Sequence, residues 1–129
     1  MSETKKKILV VDDEASFTRL LQLNLEQTGE YEVQVVNVST LAVAQAERFQ
    51  PDLILLDVMM PGLSGGDLAE HFQKRGSLRN IPIVFLTAAV KKDEVSLHGG
   101  LIGGLPFLAK PVDTTELIAC LKKHLHATE

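Results

Sequence analysis

The sequence predicts an α/β protein, a doubly wound parallel sheet of five strands with helices on both faces. Two observations carry this. Five short apolar runs are separated by amphipathic stretches from one end of the chain to the other, the alternation that repeated βα units require. Three of the runs, 8–11, 53–56 and 83–86, are apolar at every position, as strands covered on both faces must be.

The first strand is Ile8-Leu9-Val10-Val11. A helix follows over 15–28, where Phe17, Leu20, Leu21, Asn24 and Leu25 recur at helical spacing and Gly29 supplies the stop. Val33, Val35, Val36 and Val38 form a β-branched run, the second strand. Residues 40–49 are Ala-rich and helical, with Ser39 or Thr40 as N-cap and Pro51 as terminator. Leu53-Ile54-Leu55-Leu56 is the most hydrophobic run, stops at Asp57 and reads as a central strand. After a loop over 58–63, Ser64 and Asp67 stand three apart as a capping pair for a helix that runs to about Arg75. Ile83-Val84-Phe85-Leu86 is the fourth strand and ends at Thr87. The stretch 93–104 is the weakest helix, because Gly99, Gly100, Gly103 and Gly104 each cost about 1 kcal/mol against alanine in a helix interior. Phe107-Leu108-Ala109 is the fifth strand, and Pro106 suggests an edge position or an altered entrance for it. Asp113 and Glu116 cap a last helix with Leu117, Ile118, Leu121 and Leu125 on one stripe. No repeat, low-complexity tract or linker interrupts the pattern, so one domain is expected over 1–129, with its core over about 7–126.

Composition excludes several functions. There are 13 basic against 17 acidic residues, a net charge of -4, so direct nucleic-acid binding is not expected. Lys5-Lys6-Lys7 reads as a solvated lead-in to the first strand. The single cysteine, Cys120, allows neither an intrachain disulfide nor a cysteine-built metal site, and packs beside the last apolar stripe. No targeting leader and no apolar run of membrane-spanning length stand out, so a cytoplasmic location without a membrane partner is expected. His71, His98, His124 and His126 lack metal-ligand spacing, and neither a dinucleotide fingerprint nor a Walker-type phosphate loop is present.

In open α/β sheets ligands collect at the carboxyl ends of the strands. There the first strand ends in Asp12-Asp13, the third in Asp57, the fourth in Thr87 and the fifth in Lys110. Carboxylates brought together repel; two unit charges ~4 Å apart interact by about 4 kcal/mol at an effective dielectric of 20. A proton or a cation must relieve them, and an all-oxygen donor set suits Mg²⁺. A carboxylate nucleophile, a metal, a lysine and a hydroxyl donor together make an apparatus for phosphoryl transfer. Asp57 is the best nucleophile, since it ends the most apolar strand, while the Asp12-Asp13 pair suits metal holding.

With these residues on the page, the chain resembles the receiver domain of two-component response regulators, from about Lys7 to about His126. The segments that carry the likeness are Ile8-Leu9-Val10-Val11-Asp12-Asp13-Glu14, Leu55-Leu56-Asp57-Val58-Met59-Met60-Pro61-Gly62, Phe85-Leu86-Thr87-Ala88 and Phe107-Leu108-Ala109-Lys110-Pro111. The resemblance implies a flavodoxin-like (βα)5 fold, with Asp57 as phospho-acceptor. It implies Mg²⁺, with Mn²⁺ as a substitute, held by Asp13, Asp57 and the backbone carbonyl of Met59, and by Asp12 through water. It implies that Lys110 pairs with the phosphoryl oxygens, that Thr87 is the switch hydroxyl, that Phe107 is the aromatic that turns inward with it, and that the Lys110-Pro111 bond is cis. Gly103-Gly104-Leu105-Pro106-Phe107 departs from the family's usual Gly-Ala-x-Asp-Tyr, and Phe107 has no hydroxyl to offer a partner.

The implied partners are a histidine kinase or histidine phosphotransfer protein as donor and a downstream protein as target. With no residues left for an output domain, action by binding another protein or by passing phosphate on is expected, as a monomer or a weak phosphorylation-dependent dimer. Met59 and Ala89 stand where the family tunes attack by water, and neither can orient one through an acid or amide, so a long-lived phospho-form is expected. Two rivals differ in class. A haloacid-dehalogenase-like phosphohydrolase needs a second acid two residues after its nucleophile, where Met59 stands. A non-phosphorylated, receiver-like interaction module keeps the fold with an idle pocket, and such modules are expected to have lost an acid or the lysine.

Overall fold

The structure, a computed structural model, describes residues 5–62, 64–88, 101–102 and 105–126. Its elements in chain order are β1 (Lys6–Val11), α1 (Ala15–Glu26), β2 (Tyr31–Val36), a 3-10 turn (Ser39–Leu41), α2 (Ala42–Phe49), β3 (Leu53–Asp57), α3 (Gly65–Lys74), β4 (Ile83–Thr87), β5 (Leu101–Ile102), β6 (Leu105–Ala109) and α4 (Thr114–His126). The sheet order is β2-β1-β3-β4-β6-β5, and the five strands from β2 to β6 are mutually parallel.

Alternation along each strand divides the core in two. Leu9, Val11, Ile54, Leu56, Phe85 and Phe107 face Ala42, Ala46 and Phe49 of α2 and Leu68 and Phe72 of α3. The residues between them, Ile8, Val10, Leu55, Val84 and Leu86, face Leu21 and Leu25 of α1 and Leu117, Leu121 and Leu125 of α4. Each fully buried side chain of this size contributes ~1.5–3 kcal/mol. A slip of one residue would exchange the faces of a whole strand, so two covered faces fix the register. The rungs Val11↔Leu56, Leu56↔Phe85 and Phe85↔Phe107 run straight across the sheet. The next row therefore places Asp12 beside Asp57, and Thr87 pairs with Ala109, one residue before Lys110.

Several boundaries differ from expectation. The second strand starts at Tyr31 and ends at Val36; Val38 lies beyond it and is exposed. The ladder ends there because Asp12 N–H takes the Val36 carbonyl as the last bond at 3.0 Å. Neither Ser39 nor Thr40 caps a helix through its side chain; Ser39 is buried inside the 3-10 turn and donates to the Pro61 carbonyl at 3.0 Å. Leu20 of the α1 stripe is exposed, while Thr18 is buried in its stead. α1 ends at Glu26 with Gln27 as C-cap, two residues short of the expected Thr28, and Gly29, at φ 79, turns the chain beyond it in a conformation that costs glycine least. Ser64 caps α3 by accepting from Asp67 N–H at 3.2 Å.

Most of the expected helix over 93–104 lies outside the described residues. Its end is a strand: Leu101 and Ile102 pair antiparallel with Pro106 and Leu105. The fifth strand accordingly begins at Leu105, and among the described residues only the two-residue β5 flanks it on the outer side. Proline, which has no N–H to donate, is tolerated in such a place. Among the described residues no helix is long and apolar enough to cross a membrane.

Candidate functional site

The chain moves from β1 to β2 on one side and returns to β3 on the other, so the strand order reverses between β1 and β3. Such a switch point opens a crevice at the carboxyl ends of the two strands. Asp12 and Asp13 follow β1 there, and Asp57 ends β3. By strand alternation Asp12, Asp57 and Lys110 project toward the face covered by α1 and α4. Thr87 has the parity of Phe85 and projects toward the opposite face, shared with Phe107.

Carboxylate oxygens of Asp12, Asp13 and Asp57 lie within 4.8 Å of one another, with Asp12 and Asp57 buried and Asp13 exposed. Lys110 Nζ is 2.6 Å from Asp12 Oδ2, 2.9 Å from Glu14 Oε1 and 3.7 Å from Asp57 Oδ1. The ammonium also stands over the Phe17 ring, 4.5 Å from its centroid. Asp13, Glu14, Asp57, Met59, Ala88 and Lys110 line an open cleft of about 400 Å³.

Backbone bonds hold the frame. Asp12 Oδ1 accepts from Glu14 N–H at 2.9 Å, and Asp57 Oδ1 accepts a longer 3.4 Å bond from Met59 N–H. Lys110 N–H donates to the Thr87 carbonyl at 2.8 Å, which ties the end of β6 to the end of β4. The Lys110-Pro111 peptide is cis, as the resemblance implied. Thr87 and Phe107 are both buried.

The electrostatics are those of an acid cluster short of positive charge. Burial raises the Asp57 carboxyl to about 6, and the Asp12 charge adds to the rise; Lys110 and the Met59 N–H oppose it, and Asp13 adds a little more. Burial alone would lower the Lys110 ammonium, but its bonds to Asp12 and Glu14 and the charges of Asp12 and Asp57 outweigh this and raise it. Asp12 Oδ2 is fully buried and meets no well-aligned hydrogen-bond donor, although Lys110 lies close to it as an ion-pair partner. An incompletely satisfied buried carboxylate oxygen beside two more acids fits a hard cation, and an all-oxygen donor set open to water suits Mg²⁺.

The structure thus brings together Asp12, Asp13, Asp57, Met59 and Lys110, with Thr87 and Phe107 behind them on the other face of the sheet. Ala89 lies outside the described residues. Four contributors were not singled out from the sequence: Glu14, which pairs with Lys110, and three others. Phe17 was grouped with the core stripe of α1, yet its ring meets the lysine. Asn37 Nδ2 donates to the Asp12 carbonyl at 2.7 Å and to Thr18 Oγ1 at 3.1 Å, and no sequence signal marks it. Gly65 opens α3 against the end of β3: a Cβ there would stand 2.4 Å from the Asp57 carbonyl oxygen and 2.7 Å from Val58 Cα. The Ser64-Gly65-Gly66 opening was its only signal.

Comparison with known proteins agrees with this frame. The family model of the response regulator receiver domain matches residues 8–122. The chain is 40% identical over 125 residues to the alkaline phosphatase synthesis transcriptional regulatory protein PhoP of Bacillus subtilis, covering 96% of this chain and 50% of that protein. It is 37% identical over 123 residues to the phosphate regulon transcriptional regulatory protein PhoB of Pseudomonas aeruginosa, covering 95% and 53%. The chain therefore spans about half the length of these curated relatives. Among solved structures, the Vibrio cholerae chemotaxis protein CheY4 superposes with a TM-score of 0.79 at 27% identity, covering 93% of this chain and 98% of that one. A flavodoxin-like sheet, strand ends of this composition and these matches have one common explanation: the chain belongs to the receiver-domain family of two-component response regulators.

Proposed function

We propose that this receiver accepts a phosphoryl group on Asp57 from a histidine kinase or a phosphohistidine relay protein, and that the modification alters its affinity for a downstream protein. The observation that carries the reading is the convergence of three carboxylates within 4.8 Å at the switch point, with Lys110 Nζ 3.7 Å from Asp57. In this reading Asp57 is the nucleophile. One of its oxygens forms a bond to phosphorus as the bond to the donor breaks. With acetyl phosphate, acetate leaves with the bonding pair and no proton has to move; with phosphohistidine, the departing imidazole nitrogen keeps the pair and is protonated.

Asp13, Asp57 and the Met59 carbonyl, with Asp12 through water, would hold Mg²⁺, and Mn²⁺ would serve in its place. Bound there, the ion supplies positive charge to the phosphoryl oxygens where it builds up. It would also pull the Asp57 carboxyl down from about 6, keeping the nucleophile ionised. Lys110 pairs with a phosphoryl oxygen, and the Thr87 hydroxyl is the donor that turns toward it. Phe107 is already buried, so it packs behind Thr87 and follows its movement. Such a switch biases two pre-existing conformations. The protein acts as a signalling domain that catalyses only its own phosphorylation and dephosphorylation, in the cytoplasm, as a monomer or weak phosphorylation-dependent dimer. The acidic balance, 17 acidic against 13 basic residues, supports a protein target for this domain over nucleic acid.

Intact-mass spectrometry after incubation with acetyl phosphate or phosphoramidate tests the reading. A Mg²⁺-dependent gain of one phosphoryl group, absent in Asp57→Asn, is expected. No gain from any small donor or kinase, joined to no Mg²⁺ binding, would overturn it.

A further inference from the structure

We propose that Glu14 and the Phe17 ring form a resting cradle for the Lys110 ammonium, holding it on the Asp12 side of the cleft until a phosphoryl group on Asp57 competes for it. This rests on the reading of Asp57 as phospho-acceptor. Lys110 Nζ has two oxygen partners at bonding distance, Asp12 Oδ2 at 2.6 Å and Glu14 Oε1 at 2.9 Å, and the Phe17 ring centroid at 4.5 Å. Asp57 Oδ1, at 3.7 Å, is too far for a hydrogen bond. An ammonium has three protons, and two carboxylates and a π face account for its surroundings. Glu14 is the N-cap of α1 and Phe17 lies in its first turn, and both reach the ammonium from that end of the helix.

The partners are not equal. Asp12 is fully buried, so losing the ammonium would leave its charge uncompensated. The Glu14 side chain is 61% exposed and can exchange the lysine for water. Glu14 is therefore the partner that Lys110 gives up, and the Phe17 ring is the surface from which it swings. Together they are positioning residues: they act through Lys110, Glu14 from the wall of the cleft, and they set how readily Lys110 reaches the phosphoryl oxygens.

The tests are Glu14→Gln and Phe17→Leu, the second removing the ring without changing charge. Each should speed phosphorylation by acetyl phosphate at saturating Mg²⁺ by about twofold to fivefold, the range that an ion pair with a solvent-exposed member supports for Glu14 and a cation–π contact for Phe17. In a Lys110→Met background the same substitutions should change nothing, because their effect runs through the lysine. A second readout is independent of transfer. In protein carrying ¹³C-labelled lysine, the Lys110 ε-methylene should resonate upfield of the exposed lysines through the Phe17 ring current, with Lys7, 5.4 Å from the Phe49 centroid, assigned separately. Phe17→Leu should abolish that displacement, and Glu14→Gln should reduce it. Unchanged rates in both variants, effects that persist without Lys110, or an ordinary Lys110 resonance would overturn the cradle. If the wild type accepts no phosphoryl group, the Asp57 reading fails instead, and the resonance still decides whether the cradle exists.

Discussion

Removing the charge of Asp57 should make the metal-free protein more stable. The residue is 5% exposed, and its carboxyl is raised from 3.8 to about 6, first by burial and then by Asp12. Each tenfold change in proton affinity is worth about 1.4 kcal/mol, so the ionised group costs the fold about 3 kcal/mol. The sign follows from proton linkage. Between about pH 4 and about pH 6 the folded state holds a proton that the unfolded chain has released, so stability falls as pH rises through that window and stays low above it. Asp57→Asn removes the charge and keeps an oxygen for the Met59 N–H. In EDTA at about pH 7.5 the variant should be more stable by up to ~3 kcal/mol, roughly 10 °C in Tm for a chain of this size. At about pH 4 the difference should nearly vanish, and saturating Mg²⁺ at neutral pH should favour the wild type. Urea denaturation followed by circular dichroism at both pH values checks this. A variant no more stable than wild type at neutral pH, or stabilised equally at both, would refute the reasoning.

Lys110→Met should destabilise the metal-free protein by about 3 kcal/mol, because it leaves the buried Asp12 without its cation; Mg²⁺ should then restore more stability to the variant than it adds to the wild type, as read by chemical denaturation. Gly65→Ala and Gly66→Ala should have opposite signs. The first forces a Cβ onto backbone atoms of Asp57 and Val58 and should cost about 1–3 kcal/mol, while the second meets only Ser64 Oγ at 3.8 Å and should gain about 0.5–1 kcal/mol in helix propensity. The aspartyl phosphate should persist well beyond seconds in Mg²⁺ buffer, because exposed Met59 beside the cleft cannot orient a water; decay within seconds, followed by intact mass, would refute that.

The parts of the fold that were legible in the sequence are those where one physical demand acts alone. A strand covered on both faces must be apolar throughout, so 8–11, 53–56 and 83–86 appear as β1, β3 and β4, with the polar residue at each end marking the crevice. Where demands compete, the sequence misleads. Val38 satisfies strand propensity, but the ladder has already closed on Val36, so it is left exposed. Leu101 and Ile102 sit among glycines that weaken a helix. The two-residue Gly103-Gly104 spacer between two apolar pairs is a hairpin signal that the reading of 93–104 as a weak helix did not use.

The site divides in the same way. Asp12, Asp13, Asp57 and Lys110 could be found because strand order and strand ends alone bring them together. Which acid holds the lysine could not, since it is decided by differences of about an ångström among three carboxylates. Both acids accept one backbone N–H on Oδ1, from Glu14 and Met59; Asp12 holds the lysine because its second oxygen, Oδ2, is fully buried and poorly supplied with donors, while the raised pKa of Asp57 weakens its claim. The same contest explains why an aromatic at position 17 matters here. An ammonium drawn toward Asp12 swings away from Asp57 and against the first turn of α1, where a ring gives it a favourable surface and an aliphatic side chain would not. Lys110 thus stands 3.7 Å from Asp57 and is bonded elsewhere, so in the proposed reading filling the site and releasing the lysine would be coupled by charge.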